Sequence, residues 1–350
     1  MASFLLRRLG AMLATALCLT FVVFALTNLE PSLVKLAKTQ GTARMTDADA
    51  MRWLDARGYL RPLPVKYGEW LGVLSGWRAA EGDGVAGRCW EGTLMPAEAE
   101  AAPRFCGVLQ GDWGRSTVFR LPVGEVIAER LALTGKLMAW VLVVMVPSAL
   151  AMGVLAGMRE GSKLDRGLSA ASILTAATPE YVSGVILIAV FASSAFGLRW
   201  FSGTAQGAME DATFQNFALP VVTIALYGIG YVARMTRASM AEAMAAPYVR
   251  TARLKGVSFP GIVLRHALRN ALIAPFTIIM LQVPWLLNGV VIVETLFSYK
   301  GFGWTLVQAA SNNDIELLLG CSVVAVGVVL ATQLVSDLGY AWLNPRIRVG

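Results

Sequence analysis

Six long stretches with few or no charged residues divide the chain of 350 residues. A helix needs roughly 20 apolar residues to cross the ~30 Å hydrocarbon core of a bilayer, and each stretch reaches about that length. We therefore predict six transmembrane helices. Their regions are 9–29, 137–158, 167–198, 212–233, 270–293 and 317–336, the third being interrupted by Glu180.

Composition supports the same class of protein. The chain is 56% hydrophobic and 15% charged, with a mean hydropathy of +0.59, whereas soluble domains carry about 25% charged residues. Buried helices of a soluble core seldom stay uncharged over such lengths. The predicted fold class is an all-α integral membrane protein. The first stretch is too long for a signal-peptide core and is followed by no A-x-A site, so we expect an uncleaved span.

The short segments between the stretches differ strongly in their cations. Arginine and lysine concentrate before the first stretch, between the second and third, between the fourth and fifth, and after the sixth. The positive-inside rule places cation-rich short loops in the cytoplasm and exempts long loops. Both termini and residues 234–269 are therefore predicted to be cytoplasmic, and residues 30–130 to be exported. The net charge of +7 then reflects topology and requires no nucleic acid partner.

The predicted domain order follows from these spans. Residues 1–30 form the first span, 31–130 a periplasmic domain, 131–340 the membrane core with a cytoplasmic loop at 236–269, and 341–350 a cytoplasmic tail. Two amphipathic segments, "TDADAMRWLDARGY" and "LPVKYGEWLGVLSGW", predict helices in the periplasmic domain, with Thr46 as an N-cap of the first. Residues 78–107 are rich in Gly, Ala and Glu and predict an irregular excursion.

The four cysteines fall into two pairs. Cys18 and Cys321 lie in predicted spans, where thiols behave as small hydrophobic groups. Cys89 and Cys106 lie in the exported segment, and in an oxidising compartment they predict a disulfide. Two unpaired thiols are the alternative.

The sequence carries no recognisable catalytic motif. His266 is the only histidine and lies on the basic loop, so a Ser–His dyad inside the bilayer has no base. No cluster of His and Cys suggests a zinc site, and no GxxxxGK[ST] loop occurs. We expect no cofactor on this chain and no enzymatic activity.

Polar residues inside two of the predicted spans are candidates for a solute pathway. An acid at Glu180 is a functional candidate by default, although Pro179 beside it equally predicts a break in the helix near an aqueous cavity. The fifth span contains Gln282, Trp285 and Asn288 around a proline. These side chains line a pathway or form hydrogen bonds between helices, and the sequence leaves both interpretations open.

The basic loop resembles a known family. The stretch "EAMAAPYVRTARLKGVSFPGIVLRHALRNALIAP" resembles the cytoplasmic loop of permease subunits of the dipeptide, oligopeptide and nickel ABC importers. The segments "VVIVETLFSYKGFGWTLVQA", "YAWLNPRIR", "GDWGRS…LPVGEVIAERL" and "FLLRRLGAML" also resemble that family. Together they are spread over nearly the whole length of the chain.

The resemblance implies a type I ABC importer permease fold with six transmembrane helices and a coupling loop. In that family two short helices meet near a glycine and dock on the partner ATPase. Thr251, Ala252 and Gly256 correspond to the core of the importer motif, with Thr251 in place of its glutamate. A glycine at 256 permits a turn with positive φ. The residues predicted to couple to the ATPase are Tyr248, Arg250, Thr251, Ala252, Arg253, Lys255, Gly256 and His266.

The resemblance also implies partners. They are a second homologous permease, two ATP-binding subunits that hold ATP and Mg, a periplasmic or lipid-anchored substrate-binding protein, and membrane lipid. The implied function is binding-protein-dependent import across the bacterial inner membrane, with di- or oligopeptides as the expected solute and nickel, glutathione, an opine or a sugar as alternatives. An ion-coupled transporter that uses Glu180, and a membrane scaffold, are the other hypotheses. The chain departs from the family at residues 78–107, which form an insertion.

Overall fold

The computed structural model of the chain describes residues 2–42, 44–90, 92–194 and 198–343. The side chains of residues 2–5, 283–285, 287–289 and 340–343 are outside that description, as is most of the predicted tail at 341–350. The chain is mostly helical and divides into two compact units. One unit contains Leu131–Trp304 and the described residues from Val328, and we call it the membrane unit. The other contains Ala2–Arg130 and Thr305–Gly327, and we call it the exported unit after the predicted export of residues 30–130.

The helices and strands of the described residues follow in this order along the chain. Up to residue 101 they are α1 (Ala2–Thr27), α2 (Glu30–Gln40), α3 (Asp47–Ala56), α4 (Leu63–Leu71), β1 (Arg78–Glu81), β2 (Gly84–Gly87), β3 (Thr93–Leu94) and α5 (Pro96–Ala101). Beyond it they are α6 (Val123–Gly157), α7 (Lys163–Ala177), α8 (Glu180–Phe191), α9 (Phe214–Ala245), α10 (Pro247–Leu254), α11 (Phe259–Gly261), a π-helix (Ile262–Ala267), α12 (Leu268–Ala271), α13 (Ile273–Leu296), α14 (Phe302–Ser311) and α15 (Ile315–Leu343).

In the part of the chain that it describes, the structure contains between four and six of the six predicted membrane spans. Among the described residues, four helices are long and apolar enough to cross a membrane, and they lie within α1, α6, α9 and α15. Two bent pairs raise the number to as many as six if each pair is one span. Several large side chains of α1 are exposed, including Leu6 at 71% and Leu13 at 63%, as expected of a helix that faces lipid.

The third predicted span is not one straight helix. α7 ends at Ala177 and α8 begins at Glu180, and the chain bends by 107° between the two helices. Pro179 causes this break, because a proline has no N–H to continue a helix and disfavours helical dihedrals in the residue before it. Thr178 accordingly takes the extended values φ −91° and ψ 121°. The expectation of a single helix over 167–198 is therefore wrong, and Glu180 is the first residue of α8.

The exported unit packs α2, α3 and α4 around an apolar core. Leu36, Leu54 and Trp70 are almost fully buried there together with Phe24 of α1. Thr46 caps α3, as predicted, by accepting a hydrogen bond from the amide of Asp49 at 3.2 Å. This cap satisfies one of the amides that a helix start leaves without an intrahelical partner.

Buried charges tie α4 to the rest of the exported unit. Lys66 donates from Nζ to Asn28 Oδ1 at 3.0 Å and to the carbonyl of Tyr59 at 2.7 Å, and burial lowers the pKa of its ammonium group. Glu69 is paired with Arg61. Burial raises the pKa of the Glu69 carboxyl, and the positive charge of Arg61 opposes that effect.

The described residues of the predicted insertion at 78–107 contain a small sheet and a disulfide. β1 pairs antiparallel with β2 and β2 with β3, with Arg78 opposite Gly87 and Val85 opposite Leu94. Cys89 and Cys106 are joined by a disulfide with their Cα atoms 5.4 Å apart. The prediction of an irregular excursion is wrong for β1, β2 and β3, and the predicted all-α class holds for a chain that is mostly helical but also contains this small sheet. The sequence signal was weak because a strand of only four residues gives little alternation to detect.

Candidate coupling loop and pathway

The basic loop forms two helical arms joined by a glycine turn. α10 ends at Leu254, and Gly256 has a φ of 76°. The turn is closed by hydrogen bonds from the amide of Gly256 to the carbonyl of Arg253 at 3.0 Å and from the amide of Val257 to the carbonyl of Ala252 at 3.2 Å. A φ in this range suits glycine because other L-residues clash with their own backbone. The predicted glycine turn between two short helices is therefore confirmed.

One face of α10 is buried and the other is open to solvent. Val249 and Ala252 pack with Ile262 of the π-helix in a small apolar cluster. The spacing of three residues puts Val249 and Ala252 on one side of the helix. The opposite side carries Leu254, which is 83% exposed. Tyr248, on the flank of the helix between the two sides, is 40% exposed.

The residues predicted to couple to the ATPase differ in their exposure to solvent. Ala252 is on the buried face, and His266 is half-buried in the π-helix of the second arm. The remaining six are exposed on α10 or in the turn, namely Tyr248, Arg250, Thr251, Arg253, Lys255 and Gly256. The exposed part of α10 and the turn therefore combines several cations with the exposed side chains of Tyr248 and Leu254.

An ion pair between a buried aspartate and a half-buried arginine, which the sequence did not predict, lies near the start of this loop. Arg237, near the end of α9, donates from Nε to Asp165 Oδ1 at 2.5 Å and from a terminal nitrogen to Oδ2 at 2.8 Å. Asp165 also accepts from the amide of Gly161 at 2.8 Å and from Ser169 at 3.1 Å. A two-pronged contact of this kind fixes orientation as well as distance. It joins the start of α7 to the segment of α9 that leads into α10.

Close helix contacts also support this region. In "GVLAG", Gly153 and Gly157 lie on one face of α6, against Ala233 and Arg237 of α9. A Cβ at Gly157 would lie 2.5 Å from the carbonyl oxygen of Arg237. Small residues four apart allow membrane helices to approach closely, so this spacing is a sequence signal that could have identified the contact.

Two of the predicted pathway residues carry buried polar atoms without partners. Glu180 Oε1 and Gln282 Nε2 are both buried and make no hydrogen bond to the described residues. Gln282 is 7% exposed. Since an unpaired buried polar atom costs roughly 1–3 kcal/mol, such atoms mark places where a ligand, water or another chain completes the structure. The side chains of Trp285 and Asn288, the other two candidates, are outside the described residues.

A further buried acid organises the segment after α13. Glu294 is fully buried and accepts hydrogen bonds from Thr134 and, at 2.9 Å, from the amide of Trp304. Thr134 in turn accepts from the amide of Phe302 at 2.8 Å. Glu294 and Thr134 thus satisfy amides at the start of α14, where a helix has no partners of its own. No pattern in the sequence separates this acid from an exposed one.

These features define a class of protein. Several membrane-length helices, joined in part by a basic loop with two short helical arms, describe a multi-pass membrane protein. Among the described residues no group of His, Cys, Asp and Glu could hold a metal ion.

Comparison with known proteins gives the family. The family described as binding-protein-dependent transport system inner membrane component matches residues 149–349. The chain is 33% identical over 244 residues to a probable peptide ABC transporter permease of Sinorhizobium fredii, covering 69% of this chain and 77% of that protein. It is 32% identical over 263 residues to the dipeptide transport system permease protein DppB of Haemophilus influenzae, covering 69% and 78%.

One relative aligns along the entire sequence. A putative peptide permease of Brucella suis is 28% identical over 357 residues, which span 100% of both chains. Residues 30–130 are therefore included in that similarity.

The chain belongs to the family of binding-protein-dependent transport system inner membrane components. It is a permease subunit of an ABC importer and a multi-pass protein of the bacterial inner membrane. The predicted ABC importer permease is confirmed, and the hypothesis of an ion-coupled transporter is set aside.

Proposed function

We propose that this permease imports di- or oligopeptides and is driven by partner ATPases that dock on residues 248–266. The observation that carries the proposal is the exposed face of α10. Leu254, which is 83% exposed, lies beside the exposed cations Arg253 and Lys255 at the end of α10. A partner protein that offers acidic and apolar groups can bind all three side chains.

The transmembrane arrangement belongs to the proposal. Each bent helix pair counts as one span, which gives six. Both termini and residues 234–269 face the cytoplasm, and residues 30–130 face the periplasm. Support comes from the arginine and lysine content of the short loops, which the positive-inside rule relates to the cytoplasmic side.

The partners follow from the same arrangement. A second permease completes the solute pathway, two ATP-binding subunits hold ATP and Mg, and a periplasmic binding protein delivers the solute. This chain does no covalent chemistry. Closure of the ATPases moves α10, and the apolar cluster of Val249, Ala252 and Ile262 transmits that motion to the second arm and so to α13.

The pathway residues are Glu180, Gln282, Trp285 and Asn288. The unpartnered buried atoms of Glu180 and Gln282 support this assignment for the first two. Peptides are polar solutes that offer an amide at each bond and charges at both ends, so they can supply the hydrogen bonds that these groups lack. Peptide transport also matches the names of the relatives.

The test is transport by a reconstituted complex with paired variants at Gly256. Gly256→Pro removes the amide that bonds to Arg253 and forces φ to about −65°, whereas Gly256→Asn keeps both because asparagine tolerates positive φ. We expect both variants to insert, Gly256→Pro to lose more than about nine-tenths of ATP-driven dipeptide uptake, and Gly256→Asn to retain most of it. Normal uptake by Gly256→Pro would refute coupling through this turn.

A further inference from the structure

A cavity of about 520 Å³ lies directly beside the coupling loop. Its walls come from the last turns of α9, the first turns of α13, and Tyr248 on α10. A volume in this range is typical of a site for a small molecule. The cavity is part of the membrane unit, and the proposed topology puts it at the cytoplasmic side.

The lining is apolar with a few polar groups. Met235, Ala243, Ile273 and Ile278 form the apolar part. The polar groups are Ser239, Glu242, Tyr248, Asn270 and Thr277. A pocket with apolar walls and a small number of placed polar groups binds an amphiphilic ligand in a fixed orientation.

Glu242 is the charged residue among those that line the cavity, and it lies in a segment that is otherwise basic. It is the single acid between Asp211 and Glu294, in a stretch that contains Arg234, Arg250, Arg253 and other cations. Those cations could have neutralised it. However, Glu242 is exposed and makes no hydrogen bond or ion pair with the described residues. The carboxylate is therefore available to a ligand.

The geometry points to a receiving site for the solute, which we infer binds the ammonium group of a peptide at Glu242 on the cytoplasmic side of the pathway. This inference rests on the proposed function. A zwitterionic peptide would place its ammonium group at the carboxylate, its backbone near the hydroxyls of Ser239 and Tyr248, and its side chains on the apolar wall. Because Tyr248 belongs to α10, the shape of the site changes whenever the coupling helix moves.

The test uses a cysteine in the wall of the cavity of the complete transporter. Thr277→Cys is introduced in a Cys18→Ser background and labelled with a thiol reagent in the absence of nucleotide. Leu281→Cys, one turn further along α13 and 58% exposed but outside the cavity lining, is the matched control. Alanyl-alanine is the probe, and N-acetyl-alanyl-alanine is the same probe without its ammonium group.

We expect alanyl-alanine to slow labelling at position 277 at least fivefold and to leave position 281 unchanged. Glu242→Gln should raise the concentration needed for this protection about tenfold, and Glu242→Asp should restore most of the protection. The acetylated probe should protect neither variant nor the parent. A cysteine at 277 that reacts without protection, or that never reacts because another permease covers the cavity, overturns the inference.

Measuring dipeptide uptake by the same complexes shows whether a negative labelling result refutes only the receiving site or the proposed function as well. If the parent takes up alanyl-alanine while position 277 stays unprotected, only the receiving site is wrong. If the parent complex takes up no dipeptide at all, the proposed function fails and the receiving site falls with it.

Discussion

Two glycines on one face of α6 set the distance between that helix and α9. A Cβ at Gly153 would contact Thr236 and lie 2.6 Å from the carbonyl oxygen of Ala233. The neighbouring atoms are backbone and a buried threonine, so they cannot move aside easily. Gly135 lies on the same helix with open space around its Cα.

We therefore expect opposite effects of one substitution at these two positions. Gly153→Ala should destabilise the protein by about 1–3 kcal/mol, as overpacking does elsewhere. Gly135→Ala should stabilise it by roughly 0.5–1 kcal/mol, because alanine is favoured over glycine in a helix interior. Chemical unfolding in detergent micelles measures both. Equal effects at the two sites would show that α6 and α9 are not in close contact.

At the scale of single residues, the sequence predicts some contacts of the structure and not others. Gly256 was predictable because a turn between two short helices requires a residue that tolerates positive φ. The pairing of Asp165 with Arg237 was not, because the two are far apart in sequence and nothing in either segment identifies the partner. The sequence does not distinguish Glu294 from other acids, because its burial depends on contacts with Thr134 and Trp304 that only the fold brings together.

Among the elements, the long apolar helices were predictable because each repeats one simple property over about 20 residues. The break between α7 and α8 was signalled by Pro179, but its angle of 107° depends on packing that the sequence does not state. The small sheet of the insertion was missed because β1 and β2 have four residues each and β3 has two.

The fold of residues 78–107 was the least predictable part of the chain. The disulfide between Cys89 and Cys106 allows that fold to be tested directly. Changing both Cys89 and Cys106 to serine removes a crosslink with a sequence separation of 17. A loop of that size contributes ~3 kcal/mol in the chain-entropy model. We expect the intact chain to be lighter by two hydrogen atoms without reductant than with it. We also expect the double variant to expose residues 78–107 to protease at lower temperature.

The role of the insertion in transport is a separate prediction. Deletion of residues 80–106 should weaken stimulation of the partner ATPase by the binding protein and leave membrane insertion unchanged, because the deleted segment lies on the proposed docking side. The double serine variant is the control, since it keeps the length and composition of the segment. Unchanged stimulation in the deletion variant would show that the insertion is a tolerated surface addition.

At the scale of the whole molecule the proposed orientation can be tested with exposed serines. Ser75 lies in the exported unit and Ser258 in the coupling loop, and both are exposed. In intact cells a membrane-impermeant thiol reagent should label Ser75→Cys and spare Ser258→Cys, in each case in a Cys18→Ser background. Permeabilised cells should show labelling of both. The reverse pattern in intact cells would overturn the topology and, with it, the cytoplasmic position of the coupling loop.

The central claim is that the exposed face of α10 contacts a partner ATPase. A photoreactive amino acid at Leu254 tests it most directly, with Leu13 as the control because Leu13 is 63% exposed on the apolar helix α1. Irradiation of the assembled transporter should join position 254 to the ATP-binding subunit and leave position 13 without that product. A transporter that is active before irradiation but gives no such product at position 254 would contradict the account.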